Sequence, residues 1–193
     1  MEKHPKYQNV IETGKKLFWK YGIKRVSIEE ICKEANVSKM TYYKFFQNKN
    51  ELVKTIYKNV MEDGMNQLET IINGTMPFEE KIEQLFLLKF NSTQHISREF
   101  IMEVYNSDHA ALATMTKDYS DHVIKKMHGF FVAEQKNGNI RKDIKIEFIF
   151  YLLNKLQADG IDPKLFELYD NAQALIMEMM RFFINGIIQK QSE

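Results

Sequence analysis

Cysteine, proline and long apolar stretches are scarce in this sequence. Its 193 residues include one cysteine, Cys32, and three prolines. A single thiol excludes a disulfide framework and a multi-cysteine zinc site. The longest purely apolar run, Phe148 to Leu153, falls far short of the roughly 20 residues that a bilayer-spanning helix needs. The N-terminal residues hold no apolar stretch suited to a secretory signal, so the expected setting is the cytoplasm, with no membrane partner. No Gly-rich phosphate loop or nucleophile motif appears, and the expectation is a protein that is not an enzyme and carries no cofactor. Asp118 and His122 form an i,i+4 pair near Asp121 and His128, but no third ligand follows at firm spacing, so no metal site is expected. Cys32 lies on an apolar helix face and reads as a small core residue.

What is present is divided unevenly. The net charge of +1 conceals a basic end and an acidic body: residues 1–58 hold 13 Lys and Arg against 6 Asp and Glu, and the rest hold 14 against 20. Such a split suggests a module that meets an anion, joined to a body that does not. Phenylalanine and methionine are concentrated beyond residue 58, with 11 of 14 and 9 of 11 respectively.

Apolar residues recur at spacings of three and four, and alternating strand patterns are absent, so the fold class is all-α. A first helix is expected from Pro5 to Tyr21, with Pro5 in its first turn and Gly22 closing it. Ser27-Ile28-Glu29-Glu30 is a capping box that opens a short helix. Asn36-Val37 breaks that helix, and Ser38 caps the next, over Lys39–Phe46. Asn48-Lys49-Asn50-Glu51 opens a long fourth helix to about Ile72. Further helices are expected to about Ser92 and over 97–106, 110–135, 146–159 and 163–189, about nine in all.

Two short helices joined by a tight turn, behind a longer helix and inside the basic end, describe a helix-turn-helix head. The stretch Ser27 to Lys49, with Leu17-Phe18, Tyr21-Gly22 and Glu51-Leu52 around it, resembles the head of the tetracycline-repressor (TetR) family of bacterial regulators. The resemblance is close over about residues 5–58; beyond that it extends to helical layout and length. Met40 stands where family members often have Gly, and Asn36 replaces a frequent Gly of the turn, though Asn tolerates the left-handed conformation. The implied architecture is a three-helix DNA-binding head, residues 1–48, and an effector-binding and dimerisation body, residues 49–193.

Within the head, Tyr42, Phe45 and Phe46 form the face to be buried. That leaves Lys39, Met40, Thr41, Tyr43 and Lys44 facing outward. Lys39 suits guanine O6/N7, and Met40 or the Thr41 methyl suits a thymine methyl. The resemblance implies that residues 39–41 enter the major groove and that Tyr43 and Lys49 bind phosphate. Ser27 and Ser38, at helix starts, are further DNA-binding candidates.

In the body, 146–156 and 174–188 are apolar on almost every side, so a second subunit is the simplest cover. The expected interface comprises Ile149, Leu152, Leu153, Leu156, Leu175, Met179, Phe182 and Phe183, and the resemblance implies the same dimer. Between head and interface lie aromatic and methionine residues suited to an apolar ligand. Phe86, Phe90, His95, Met102, Tyr105, Tyr119 and Phe130 are the candidate pocket, with Glu103 as a further polar group.

The reading is a homodimeric regulator, a repressor more readily than an activator, that binds a palindromic double-stranded DNA operator and is released by a small, largely apolar effector. Two alternatives stand beside it. One is an architectural or cell-cycle DNA-binding protein without effector. The other is a helical lipid or metabolite carrier with an incidentally basic end.

Overall fold

The computed structural model describes residues 4–105, 110–158 and 163–188. Among them lie ten helices and no strand: α1 (Pro5–Tyr21), α2 (Ile28–Glu34), α3 (Lys39–Phe45), α4 (Lys49–Asn73), α5 (Phe78–Ser92), α6 (Arg98–Tyr105), α7 (Ala110–Asn137), α8 (Ile146–Ala158), α9 (Pro163–Phe166) and α10 (Ala172–Ile187). None of the described helices is long and apolar enough to cross a membrane.

The local signals act as their chemistry dictates. Pro5 occupies the first turn of α1. Gly22, at φ 82° and ψ 160°, ends that helix in a region open essentially to glycine alone, and its N–H donates to Phe18 O. Ser27 Oγ accepts from Glu30 N at 3.1 Å, and Ser38 Oγ from Thr41 N at 3.1 Å. Asn36 takes φ 52° in the turn between α2 and α3. Asn48 Oδ1 accepts from Glu51 N at 2.9 Å, while the Glu51 carboxylate reaches back past the cap to Gln47 N at 2.7 Å.

One expected helix is divided. The stretch 163–189 holds α9 and α10, separated by turns over 167–170. Asn171 takes an extended conformation and its side chain accepts from Ala174 N, starting a new helix where a continuous one was expected. Asn is a strong N-cap, and here it outweighs the apolar periodicity.

The chain divides into two compact units: Met1–Asp63 with His95–Thr116, and Gly64–Gln94 with Lys117–Glu193. The expected head, 1–48, lies within the first unit, which also takes in the start of α4, all of α6 and the start of α7. Its core gathers Val10, Leu17, Phe18, Ile23, Ile31, Cys32, Tyr42, Leu52 and Ile56 with Phe100, Val104 and Leu112. Trp19 is in that core, its ring 4.3 Å from Phe100. Gly14 lets α1 and α4 approach closely, since an added Cβ would stand 2.9 Å from Ile56 Cδ1. The second unit has its own core, built around Leu68, Ile71, Ile82, Leu85, Phe130, Phe131, Ile149 and Ile184.

Candidate nucleic-acid interface

Helix α3 is seven residues long and divides its surface sharply. Tyr42 is fully buried, Phe46 beyond its C-terminus is nearly so, and Phe45 is half-buried. Tyr7 of α1 holds these rings, edge-on to Phe45 at 5.5 Å and stacked on Phe46 at 5.2 Å. The Tyr42 hydroxyl donates to Asn48 O at 3.3 Å, tying α3 to the start of α4. With that face anchored, Lys39, Met40, Tyr43 and Lys44 point outward; Met40 is 72 % exposed and Tyr43 52 %. An exposed methionine and tyrosine on a helix whose other side is fully packed form a presented surface.

Thr41 is half-buried, and its hydroxyl meets Ser38 Oγ at 2.9 Å. Lys39 is engaged as well, its ammonium pairing with Glu29 of α2 at 2.5 Å. The Lys39 hydrogen bond holds the Glu29 carboxyl below its ordinary range, and the same bond raises Lys39. Both side chains are more than half exposed, so the pair is cheap to exchange for another anion.

Lys49 is placed differently from the expectation of a phosphate contact. Its Nζ is turned onto the loop between α1 and α2 and donates to Ile23 O at 2.8 Å, Val26 O at 2.9 Å and Lys24 O at 3.3 Å. These are all three ammonium protons, so in this arrangement the group has no donor left for phosphate. Burial lowers its pKa, and the charge of Glu103 opposes that shift.

Glu103 of α6 holds the same loop by its amides. One carboxylate oxygen accepts from Ile23 N at 2.5 Å and from Lys24 N at 3.1 Å. Close by, α6 is fixed to α1 where Ser97 N donates to Trp19 O at 2.7 Å. A cation on the carbonyls and an anion on the amides therefore grip one loop from α4 and α6. The sequence placed Glu103 among ligand-orienting groups; a separation of 80 residues gave no signal of this contact.

The pocket candidates are distributed between the units. His95 is exposed in a turn at φ 60°, and Met102 is half-buried; both belong to the first unit. In the second unit, Phe130 is buried, Phe86 packs beside the same core, and Phe90 is 43 % exposed. Tyr119 is half-buried, its hydroxyl close enough to α4 that a Cβ on Gly64 would meet it at 2.8 Å. The side chains of Tyr105 and Leu156 lie outside the described residues. An open groove of about 510 Å³ in the second unit is lined by Ile72, His122, Lys125, Lys126, Phe130 and Glu134 among others; only Phe130 was expected at a pocket.

The residues of the candidate dimer face differ in exposure within the protomer. Ile149 and Leu175 are buried within the protomer. Leu152, Leu153, Met179 and Phe183 are half-buried, and Phe182 is 75 % exposed. Phe148 and Tyr151 were not singled out, yet both are more than half exposed on the Leu152 side of α8.

Residues 10–56 match the family model for bacterial regulatory proteins of the tetR family. An HTH-type transcriptional regulator of Bacillus subtilis (strain 168), YhgD, is 29 % identical over 120 residues, 61 % of this chain and 59 % of that protein. The Transposon Tn10 TetC protein of Escherichia coli is 27 % identical over 170 residues, 74 % of this chain and 86 % of that one. The chain thus spans little more than half the length of the first of these relatives, and 45 % of another Bacillus subtilis regulator, YvdT. Among solved structures, a transcriptional regulator from Saccharomonospora viridis in complex with choline superposes with a TM-score of 0.72 at 14 % identity, over 95 % of this chain and 98 % of that one. The fatty acid degradation regulator FadR of Bacillus halodurans gives 0.67 at 15 %, over 96 % and 98 %. Likeness at that identity concerns the fold.

Proposed function

Because the chain belongs to the tetR family of bacterial regulatory proteins, we propose that it is a homodimeric repressor released from a palindromic operator by a small effector. The observation that carries this reading is the divided surface of α3. Its inner side is locked by Tyr42 and Phe46, and its outer side presents Lys39, Met40, Tyr43 and Lys44. A packed helix with an exposed, partly cationic face suits insertion into a major groove.

Lys39 reads bases after leaving Glu29 for the groove, and Met40 and Thr41 make apolar contacts to thymine methyls. Tyr43, Lys44 and the hydroxyls of Ser27 and Ser38 serve as phosphate contacts. They set the register of the head on the duplex and carry little sequence information themselves. Lys49 supports the head from behind, because its donors are turned onto the loop between α1 and α2.

A second copy covers the exposed apolar side of α8 and α10, centred on Phe148, Tyr151, Leu152 and Phe182. Two-fold symmetry then presents two α3 helices to half-sites one turn of DNA apart. Effector binding in the body favours a state whose heads no longer match that spacing. A 100-fold preference of the effector for that state supplies about 2.7 kcal/mol of coupling, which weakens operator binding by up to about 100-fold.

The test is selection of genomic DNA fragments by the purified protein at near-physiological salt. Enrichment of one or a few palindromes is expected. Enrichment of many dispersed sites, or none above sequence-blind binding, would overturn the reading.

A further inference from the structure

The open groove of the second unit runs between the end of α4 and the C-terminal half of α7. Two contacts set the direction of these helices. Lys126 Nζ pairs with Glu69 at 2.7 Å, and the Tyr119 hydroxyl stands beside Gly64. The helices therefore run alongside in the same direction, and Ile72 and Asn73, closing α4, come level with the last turns of α7. On α7, Gly129, Phe130 and Ala133 share one side and line the groove together with Glu134. A Cβ added to Gly129 would meet nothing within 4 Å, so the groove lies open over a stretch of bare backbone.

Glu134 stands apart from the rest of that lining. It is 7 % exposed, so a carboxylate is buried in the wall of an otherwise open groove. One oxygen, Oε2, accepts from Asn139 Nδ2 at 2.6 Å. Among the described residues no cation pairs with the group, and nothing donates to Oε1. A carboxylate has room for about four donors, and burying it without a counter-charge is costly. Its position adds to that cost. Glu134 lies in the last turn of α7 and Ile72 and Asn73 in the last turn of α4, so the negative ends of two helix dipoles meet here. Lys81 answers one of them, donating to Ile72 O at 3.0 Å. The groove's own cations sit at its other end. Lys126 is held by Glu69 and precedes Glu134 by about 12 Å of helix, beyond the roughly 10 Å over which charges act at 0.1 M salt. Lys125 and His122 are exposed and farther still.

We propose that this groove binds an organic ammonium, whose nitrogen donates to Glu134 and whose apolar body lies over Gly129 and Phe130 against Ile72. A groove of about 510 Å³ has room for a body of two fused rings. One carboxylate balances one positive charge, which selects a monocation. Resting on the reading that the body takes an effector, this makes the effector an apolar amine in its protonated form.

The test measures binding of 1-naphthylmethylamine and of 1-naphthalenemethanol to the full-length protein by calorimetry, at neutral pH and without DNA. The probes share a ring system and differ in charge. The wild type is expected to bind the amine at least about tenfold more tightly than the alcohol, the margin a charged hydrogen bond supplies. Glu134→Gln should bring the two probes to within about twofold of each other by weakening the amine alone. Gly129→Leu places its side chain in open space within a helix, so it should fold as the wild type does and weaken both probes at least about tenfold. A wild type that binds neither probe, or binds the alcohol as tightly as the amine, would overturn the site. So would an amine preference that survives Glu134→Gln, or binding that Gly129→Leu leaves unchanged. Because no DNA enters the measurement, a failure here leaves the operator reading standing, and a missing operator leaves the cation site standing.

Discussion

Lys49→Met separates a supporting residue from a phosphate contact. Methionine keeps the length of the side chain and removes its three donors. Two of the bonds lost, to Ile23 O at 2.8 Å and Val26 O at 2.9 Å, are short and partly buried; the third, to Lys24 O at 3.3 Å, is exposed. A hydrogen bond from a charged donor contributes about 1.5–3 kcal/mol. The third bond adds little, and relief of the half-buried ammonium offsets part of the loss, since burial already disfavours its charged form. The net cost comes to about 2–3 kcal/mol. For a chain of this size that lowers Tm by about 4–12 °C. The assay pairs thermal unfolding with DNA binding measured across salt concentrations, well below the variant's Tm. A lower Tm with an unchanged salt slope is expected. A Tm unchanged to within about 1 °C, with the slope of log K against log salt reduced by about one unit, would refute the argument and return Lys49 to the phosphate. Glu103→Gln completes a double-mutant cycle. The two groups hold one loop, so their effects should be non-additive by at least about 0.5 kcal/mol.

Other outcomes follow from the same geometry. Glu29→Gln releases Lys39 and should raise operator affinity several-fold; lowering the pH through the depressed Glu29 range should release it in the wild type too, because that ion pair exists only above the carboxyl's folded-state pKa. Lys39→Ala should change the preference at one base pair per half-site, read by sequencing selected operators, and an unaltered preference would argue against base reading. Gly22→Ala should cost about 2 kcal/mol in chemical denaturation, since an added Cβ meets a φ of 82° and stands 2.9 Å from Glu103 Oε1. Phe182→Glu should yield folded monomers in sedimentation and weaken operator binding; an intact dimer would place the interface elsewhere.

The head was legible because its signals are local. Ser27, Ser38 and Asn48 act within three residues of themselves, and the buried side of α3 follows from the spacing of Tyr42, Phe45 and Phe46. Legibility ended where one residue serves a distant one. Lys49 reaches back 26 residues and Glu103 reaches back 80, and neither contact has a period or a motif. The helix expected over 163–189 failed for another reason: apolar content obscured the cap at Asn171. The apolar character of α8 and α10 indicated burial, yet only coordinates separate the residues covered within the protomer, Ile149 and Leu175, from the exposed Tyr151 and Phe182.

The grip on the α1–α2 loop bears on how such a protein can be taken apart and recombined. Both gripping residues contact peptide groups, so the grip itself asks for Lys49 and Glu103 and not for particular side chains at the amides and carbonyls they hold. Both also lie beyond residue 48, outside the three-helix segment that carries the DNA-facing surface. A chimera that transplants residues 1–48 onto another regulator's body would therefore move the reading surface without its fastening. It would inherit DNA specificity but depend on the recipient for a lysine and a carboxylate at the matching places. A transplant that also carries 49–63 and 95–105 brings its fastening with it, and this is the smaller risk for anyone building hybrid sensors from this chain.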